Sequence, residues 1–130
     1  MDLEGRKVLL CEDNALNAGI AGVLMEDFGG VMELAENGQM GVDKFAASAI
    51  GEYVLILMDL RMPVLDGYGA SRAIRKLDRD DAGTMPIIAL SADAYEVDAK
   101  ACLEAGMNAH AAKPGDANQL ARFIAACVKV

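Results

Sequence analysis

The 130-residue chain has no tryptophan, a single histidine, three scattered cysteines and no long apolar run. With only 5% aromatic residues it offers no base-stacking platform for nucleic acid. The net charge of -8 argues against direct contact with nucleic acid or an anionic membrane. No apolar run approaches the roughly 20 residues that span a bilayer. The cysteines form no Cys-x-x-Cys pair, which favours buried thiols in a reducing compartment over a metal or redox site.

The composition is that of one domain covering residues 1–130. A hydrophobic content of 54% is enough to build a core without disulfide or metal cross-links. The N-terminal residues Met1–Glu4 are acidic, whereas a signal peptide would begin with basic residues. We therefore expect a cytoplasmic protein, or the cytoplasmic part of a larger, membrane-bound one.

Short apolar runs alternate with amphipathic segments along the whole chain. The predicted strands are Lys7–Glu12, Val31–Ala35, Tyr53–Met58, Pro86–Leu90 and Asn108–Ala112. The predicted helices are Ala15–Phe28, Gln39–Ala49, Tyr68–Leu77, Asp93–Ala105 and Asp116–Val128. The first, third and fourth strands are continuously apolar, as strands covered on both faces are. Five β/α alternations predict an open α/β sandwich, with helices on both faces of a parallel sheet.

Polar side chains collect where the predicted strands end. Glu12 and Asp13 end the first strand, Asp59 the third, Ser91 the fourth and Lys113 the fifth. Sites in open parallel sheets form beyond these carboxyl ends. Neighbouring carboxylates repel one another unless a cation intervenes, and Mg²⁺ binds carboxylates while leaving positions for phosphate oxygens. Together with a lysine and a hydroxyl for an incoming anion, the pattern predicts phosphoryl transfer to an acceptor, Asp59.

Each of these residues also has an ordinary structural interpretation. Asp13, taken alone, is better interpreted as the N-cap of the first helix, and Ser91 could cap the fourth. The Asp66-Gly67 pair is typical of a turn, and Lys113 could be a solvated loop residue. Only the conjunction of all of them favours a site.

Taken together, the polar residues at the strand ends and the motifs around them resemble the receiver domain of two-component response regulators. The resemblance follows their order along the chain and extends over essentially its whole length. The matching segments are Glu12-Asp13-Asn14 with Asn17, Met58–Pro63 with Asp66-Gly67, Pro86–Ala92, Cys102–Asn108 and Lys113-Pro114. The first of these motifs and the CLEAGMN segment most resemble receivers fused to hybrid sensor histidine kinases. A kinase fragment and a stand-alone receiver both fit, and these details favour the fragment. The resemblance implies a flavodoxin-like (βα)5 fold with strand order 2-1-3-4-5.

The resemblance also implies a phosphoacceptor and a metal site. Asp59 would accept the phosphoryl group from the phosphohistidine of a histidine kinase or a histidine phosphotransfer domain. The cofactor would be Mg²⁺, bound by Asp13, Asp59 and the backbone carbonyl of Arg61, with Glu12 reaching it through water. The domain would assist its own phosphorylation and dephosphorylation without turning over an external substrate.

Four further positions take roles from the resemblance. Lys113 would pair with the phosphoryl oxygens and Ser91 would hydrogen-bond one of them, while the small Ala92 would leave the approach open. Ser91 would move toward the phosphoryl group, and the side chain of His110 would turn into the vacated space. The family usually has an aromatic ring there, so the alternative is that His110 is a half-exposed strand residue with no switching role.

The chain departs from the family pattern at the fifth strand and after it. Gly115 stands where a bulky apolar residue is usual. Asn108 and Ala109 replace residues that are commonly acidic in DNA-binding regulators and form dimer salt bridges there. We therefore expect a monomer or a weak dimer.

Two hypotheses go beyond the family pattern. Arg61 and Asp93 each follow a site residue by two positions, and an ion pair between them would shield the phosphoryl group from water. At the start of the first helix, Ala15 and an exposed Leu16 would let a partner helix approach Asp59. Ordinary packing of this helix on the sheet is the alternative.

Three other functions compete with this interpretation. A flavin-binding protein would need a hydroxyl- and glycine-rich phosphate loop after the first strand, where this chain has the acidic CEDNALN. A haloacid-dehalogenase-type phosphatase would have a second acid two residues after its nucleophile, where this chain has Arg61. A degenerate receiver that only binds partners is the third alternative.

Overall fold

The computed structural model describes residues 3–91, 99–112 and 117–127. The strands are β1 Lys7–Cys11, β2 Val31–Ala35, β3 Tyr53–Asp59, β4 Ile87–Ser91 and β5 Ala109–Ala112. The helices are α1 Ala15–Asp27, α2 Gly38–Ala47, α3 Gly67–Arg75, α4 Ala99–Glu104 and α5 Ala117–Cys127. Strands and helices alternate as the sequence predicted. The predicted start of the fourth helix at Asp93 and the predicted end of the fifth at Val128 lie outside the described residues.

The five strands form one parallel sheet in the order β2-β1-β3-β4-β5. This confirms the predicted flavodoxin-like topology. After β1 the chain places β2 on one side of it, and β3, β4 and β5 then follow on the other side. The strand order therefore reverses between β1 and β3. Their carboxyl ends are therefore adjacent at the switch point, where α/β sheets place their ligand sites.

Two apolar layers enclose the sheet. One contains Phe45 of α2, Ile74 of α3 and Cys102 of α4. The other contains Met25 of α1 and Ile124 of α5. Residues Leu55 to Met58 of β3 are fully buried and alternate between the two layers, which is why this strand is a continuous apolar run.

Several element boundaries differ from prediction by one or two residues, and side-chain caps account for two of them. The backbone N–H of Met40 donates to Asn37 Oδ1 at 2.8 Å, so α2 begins at Gly38, one residue earlier than predicted. The backbone N–H of Gly69 donates to Asp66 Oδ1 at 2.8 Å, so α3 also begins one residue earlier, at Gly67. A capping side chain satisfies one of the free N–H groups of the first turn, and the helix then starts directly after it.

Helix α3 is tied to the chain that follows α4. Ser71 Oγ donates a buried hydrogen bond to the carbonyl of Ala105 at 2.7 Å. Arg75 donates to the carbonyl of Gly106 through Nε at 2.9 Å and through Nη2 at 2.7 Å. Asn108 Oδ1 accepts from Arg75 and from the backbone N–H of Ile87. The side chain of Asn108 therefore links α3 to the start of β4.

Within the described residues, no helix has the length and apolar character needed to cross a membrane.

Two glycines in the middle of helices make a matched test of this packing. A Cβ added at Gly41 of α2 would lie 2.4 Å from Cys11 Sγ, whereas one added at Gly19 of α1 would meet nothing within 4 Å. We expect Gly41→Ala to lower the free energy of unfolding by about 1–3 kcal/mol through overpacking. We expect Gly19→Ala to raise it by up to about 1 kcal/mol, since alanine is the better helix former. Urea denaturation of both variants measures these changes.

Removing the obstructing thiol provides the control. In a Cys11→Ala background, Gly41→Ala is expected to destabilise the protein much less. Equal destabilisation with and without the thiol would contradict the proposed contact.

Candidate functional site

Three carboxylates converge at the carboxyl ends of β1 and β3. Glu12, Asp13 and Asp59 each offer one oxygen atom, and these atoms lie within 4.8 Å of one another. Glu12 and Asp59 are 2% exposed, whereas Asp13 is exposed. Because β1 and β3 are neighbours in the sheet, the tips of the two strands meet. The predicted gathering of these three acids at one edge is therefore observed.

The turn after β1 is held by the side chains of Glu12 and Asn14. Glu12 Oε1 accepts from the backbone N–H of Asn14 at 3.1 Å. Asn14 Oδ1 accepts from the backbone N–H of Asn17, also at 3.1 Å, and so caps α1. The interpretation of Asp13 as the helix cap was wrong, because the following asparagine occupies that position. Asp13 is instead exposed at the mouth of the carboxylate cluster.

Asp59 is the last residue of β3 and the centre of the cluster. Its Oδ1 accepts from the backbone N–H of Arg61 at 3.2 Å, and its Oδ2 is buried. Burial, and secondarily the charge of Asp59, raise the pKa of the Cys11 thiol to about 12. At neutral pH this thiol is protonated, so the atoms of the cluster that can bind a metal ion are the carboxylate oxygens.

The loop between β3 and α3 is fixed at both of its ends. The backbone N–H of Gly67 donates to the carbonyl of Leu60 at 3.2 Å. A Cβ at Gly67 would lie 2.3 Å from the carbonyl oxygen of Asp59, and one at Gly38 would lie 2.1 Å from that of Leu65. The sequence suggested a turn at Asp66-Gly67 but missed that only glycine allows this close approach to the end of β3.

Val64, within this loop, has an unusual backbone conformation. Its φ is 71°, in the left-handed region, and Leu65 N–H donates to the carbonyl of Pro63 at 2.8 Å across it. This closes a three-residue turn of a strained kind. A β-branched residue in such a conformation costs on the order of 1–3 kcal/mol. The surrounding loop therefore holds Val64 against its own backbone preference.

Ser91 and His110 lie on adjacent strands. Ser91 ends β4, and His110 in β5 is paired with Ala89, two residues before Ser91. Alternate residues of a strand share a face, so Ser91 and His110 lie on the same face of the sheet. Both are half-buried, and His110 lines a cavity of about 280 Å³ beside α4. The placement is compatible with the predicted switch and does not test the movement.

Three predicted site residues, Ala92, Asp93 and Lys113, lie outside the described residues. The roles assigned to Ala92 and Lys113, and the ion pair of Asp93 with the exposed Arg61, stay predictions. Ala15 and Leu16 are exposed at the start of α1, and Leu16 is 73% exposed.

Comparisons with known proteins match one family over most of the chain. The family model of the response regulator receiver domain matches residues 8–125. Over 110 residues, the chain is 41% identical to hybrid signal transduction histidine kinase M of Dictyostelium discoideum. The match covers 84% of this chain and 5% of the kinase. The chain thus spans a small part of the length of such a relative.

Solved structures of receiver domains have the same fold. A receiver domain of a Pseudomonas aeruginosa sensor histidine kinase, with magnesium coordinated in its active-site cleft, is 37% identical with a TM-score of 0.82. The match covers 95% of this chain and 97% of that one. The Saccharomyces cerevisiae Ssk1 receiver domain, crystallised with the histidine phosphotransfer protein Ypd1, is 29% identical with a TM-score of 0.79, over 96% and 90%. The chain therefore belongs to the response regulator receiver domain family of two-component phosphorelay signalling.

Proposed function

We propose that this receiver domain accepts a phosphoryl group from a phosphohistidine onto Asp59 in a reaction that requires Mg²⁺. The observation that carries the proposal is the position of Asp59, buried at the end of β3 within 4.8 Å of two further carboxylates. A lone buried carboxylate is unfavourable, and a cluster of three is more so. A site that binds a cation and receives an anionic group accounts for this arrangement.

The donor set fits magnesium. Mg²⁺ prefers oxygen ligands at about 2.0–2.1 Å and usually keeps several waters in its coordination shell. One oxygen of each carboxylate lies within 4.8 Å of the others, so a single ion between them can contact all three, directly or through a bound water. We propose Asp13, Asp59 and the carbonyl of Arg61 as direct ligands, with Glu12 acting through water. When bound, the ion would neutralise charge that develops on the phosphoryl oxygens.

The nucleophile of the chemical step is a carboxylate oxygen of Asp59. That oxygen attacks phosphorus, a P–O bond forms, and the P–N bond to the donor imidazole breaks. The electron pair of the P–N bond stays on the imidazole, which takes up a proton. Dephosphorylation ends the signal. Water attacks the phosphorus of the acyl phosphate, and inorganic phosphate and the Asp59 carboxylate are released. Lys113 and Ser91 are proposed to bind the phosphoryl oxygens in both steps.

The response to phosphorylation is proposed to pass from Ser91 to His110. Support comes from their common face of the sheet and from the cavity beside α4 that His110 lines. Movement of Ser91 toward the phosphoryl group would open space on that face, and rotation of His110 would fill it. The surface between α4 and β5 would then change shape.

The proposed donor is a histidine kinase or a histidine phosphotransfer domain. The S. cerevisiae neighbour was crystallised with such a phosphotransfer protein, which supports this class of partner. Ala15 and Leu16, exposed at the start of α1 directly after the carboxylates, are proposed as part of the docking surface. A cytoplasmic location, a monomeric or weakly dimeric state and the shielding of the site by Arg61 and Asp93 stay predictions.

Intact-mass measurement after incubation with acetyl phosphate tests the acceptor. With Mg²⁺ we expect a gain of one phosphoryl group in the wild type and none in Asp59→Asn, since the amide oxygen is a poor nucleophile. Without Mg²⁺ the gain should be largely lost in the wild type. Asp43→Asn, an exposed acid in α2, is the control and should be labelled like the wild type. An unmodified wild type would instead favour a degenerate receiver that only binds partners.

Calorimetric titration with Mg²⁺ tests the metal site without any reaction. We expect Glu12→Gln to weaken binding by about 10–100-fold, the usual effect of losing an outer-shell carboxylate. Glu36→Gln changes an exposed glutamate just beyond β2 and should leave the affinity unchanged. Equal affinities of the wild type and Glu12→Gln would contradict the assignment of Glu12.

A further inference from the structure

The side chain of Val64 is displayed to solvent in an unfavourable backbone conformation. It is 79% exposed, the highest value among the exposed large apolar side chains of the described residues. Of the non-glycine residues in that part of the chain, only Glu4 and Val64 have a positive φ. Glycine or asparagine would adopt this conformation more easily than valine. Valine at position 64 therefore lowers the stability of the fold. Because its side chain is exposed, burial of apolar surface within the domain does not offset this cost.

The loop around Val64 holds the backbone of this residue in place. Hydrogen bonds close the loop at Leu60–Gly67 and across Val64 itself. The carbonyl of Leu65 lies so close to Gly38 that a Cβ there would be 2.1 Å away. Strained residues persist only where their surroundings over-determine them, and they concentrate at functional sites. The backbone of Val64 is thus held in a conformation that leaves its side chain exposed to solvent.

Its position relative to Asp59 limits what it can contact. The loop begins at the residue after Asp59, and the Asp59 side chain is buried. A protein that brings a phosphohistidine to this carboxylate must therefore cover the surrounding loops. Leu16, 73% exposed at the start of α1, follows the adjacent strand β1 in the same way. Exposed apolar side chains thus follow both strands that carry the carboxylates.

We propose that Val64 is a contact residue for the phosphohistidine-bearing protein that donates to Asp59. The strained turn presents its apolar side chain to an apolar surface around the donor histidine, and Leu16 forms a second contact. The inference rests on the proposed function, because it takes Asp59 as the acceptor. The transfer moves one PO3 group from the imidazole nitrogen to a carboxylate oxygen, and Val64 takes no part in that bond exchange. Its contribution is confined to formation of the complex.

The experiment compares a small donor with a protein donor. Wild type, Val64→Asn and Val64→Ile are phosphorylated by acetyl phosphate and, separately, by phosphorylated Ypd1 of S. cerevisiae as the probe. Asparagine removes the apolar surface and suits the left-handed conformation, so Val64→Asn should unfold at a higher temperature than the wild type. Its labelling by acetyl phosphate should stay within about twofold, while transfer from Ypd1 slows by about tenfold or more, as for a loss at the centre of an interface. Val64→Ile, which keeps an apolar β-branched side chain, should transfer like the wild type.

Two further variants sharpen the comparison. Leu16→Asn should slow transfer from Ypd1 in the same way as Val64→Asn. Ile50→Asn changes a 61% exposed apolar residue that precedes β3, at the opposite edge of the sheet, and should change neither reaction.

Transfer from Ypd1 at the wild-type rate in Val64→Asn would overturn the proposal, as would a wild type that acetyl phosphate labels but Ypd1 does not. A wild-type dimer that Val64→Asn converts to a monomer, with transfer unchanged, would assign Val64 to contact between two copies of this chain and would also overturn it. If acetyl phosphate does not label the wild type, the result would instead contradict the proposed function itself.

Discussion

Electrostatic repulsion among three carboxylates is the constraint on which the rest of this structure depends. Glu12 and Asp59 are buried, and one carboxylate oxygen of each lies within 4.8 Å of the other and of an oxygen of Asp13. Desolvation and like charge both disfavour such a cluster, so it needs a rigid support. The sheet provides it, because β1 and β3 are adjacent strands packed between the two apolar layers, and their tips cannot separate without opening both layers.

Backbone hydrogen bonds and close contacts complete that support. Asp59 accepts from the N–H of Arg61, and Glu12 accepts from that of Asn14, so each buried acid also orders its own turn. Gly67 lets α3 begin directly against the carbonyl of Asp59. The neighbouring thiol of Cys11 is affected by the same burial and charge, because burial and, secondarily, the charge of Asp59 raise its pKa. Asp59 is thus surrounded by groups from β1, from the loop that follows β3 and from the start of α3.

Much of the fold and part of the site followed from local patterns. The continuous apolar run of β3 and the alternation of strands with helices predicted a parallel sheet, and Asp59 was placed at a strand end by its position after that run. The prediction failed where neighbouring polar residues compete for one role. Asp13 and Asn14 can both cap a helix, and only the geometry of the turn shows that Asn14 does so while Asp13 faces the cluster. The left-handed conformation of Val64 has no local signal at all, because valine is a residue that avoids it.

The sequence by itself determined the order of the elements, their apolar faces and the kinds of side chain at the strand ends, since these depend on periodicity and residue chemistry over a few positions. The tertiary structure decided which of those ends are adjacent, how deeply each acid is buried and which glycines lie against another backbone. It also decided that the side chain of Val64 is exposed in the loop that follows Asp59. Those features depend on distances between residues far apart in the chain, such as Gly38 and Leu65 or Glu12 and Asp59, and packing of the whole sheet sets such distances.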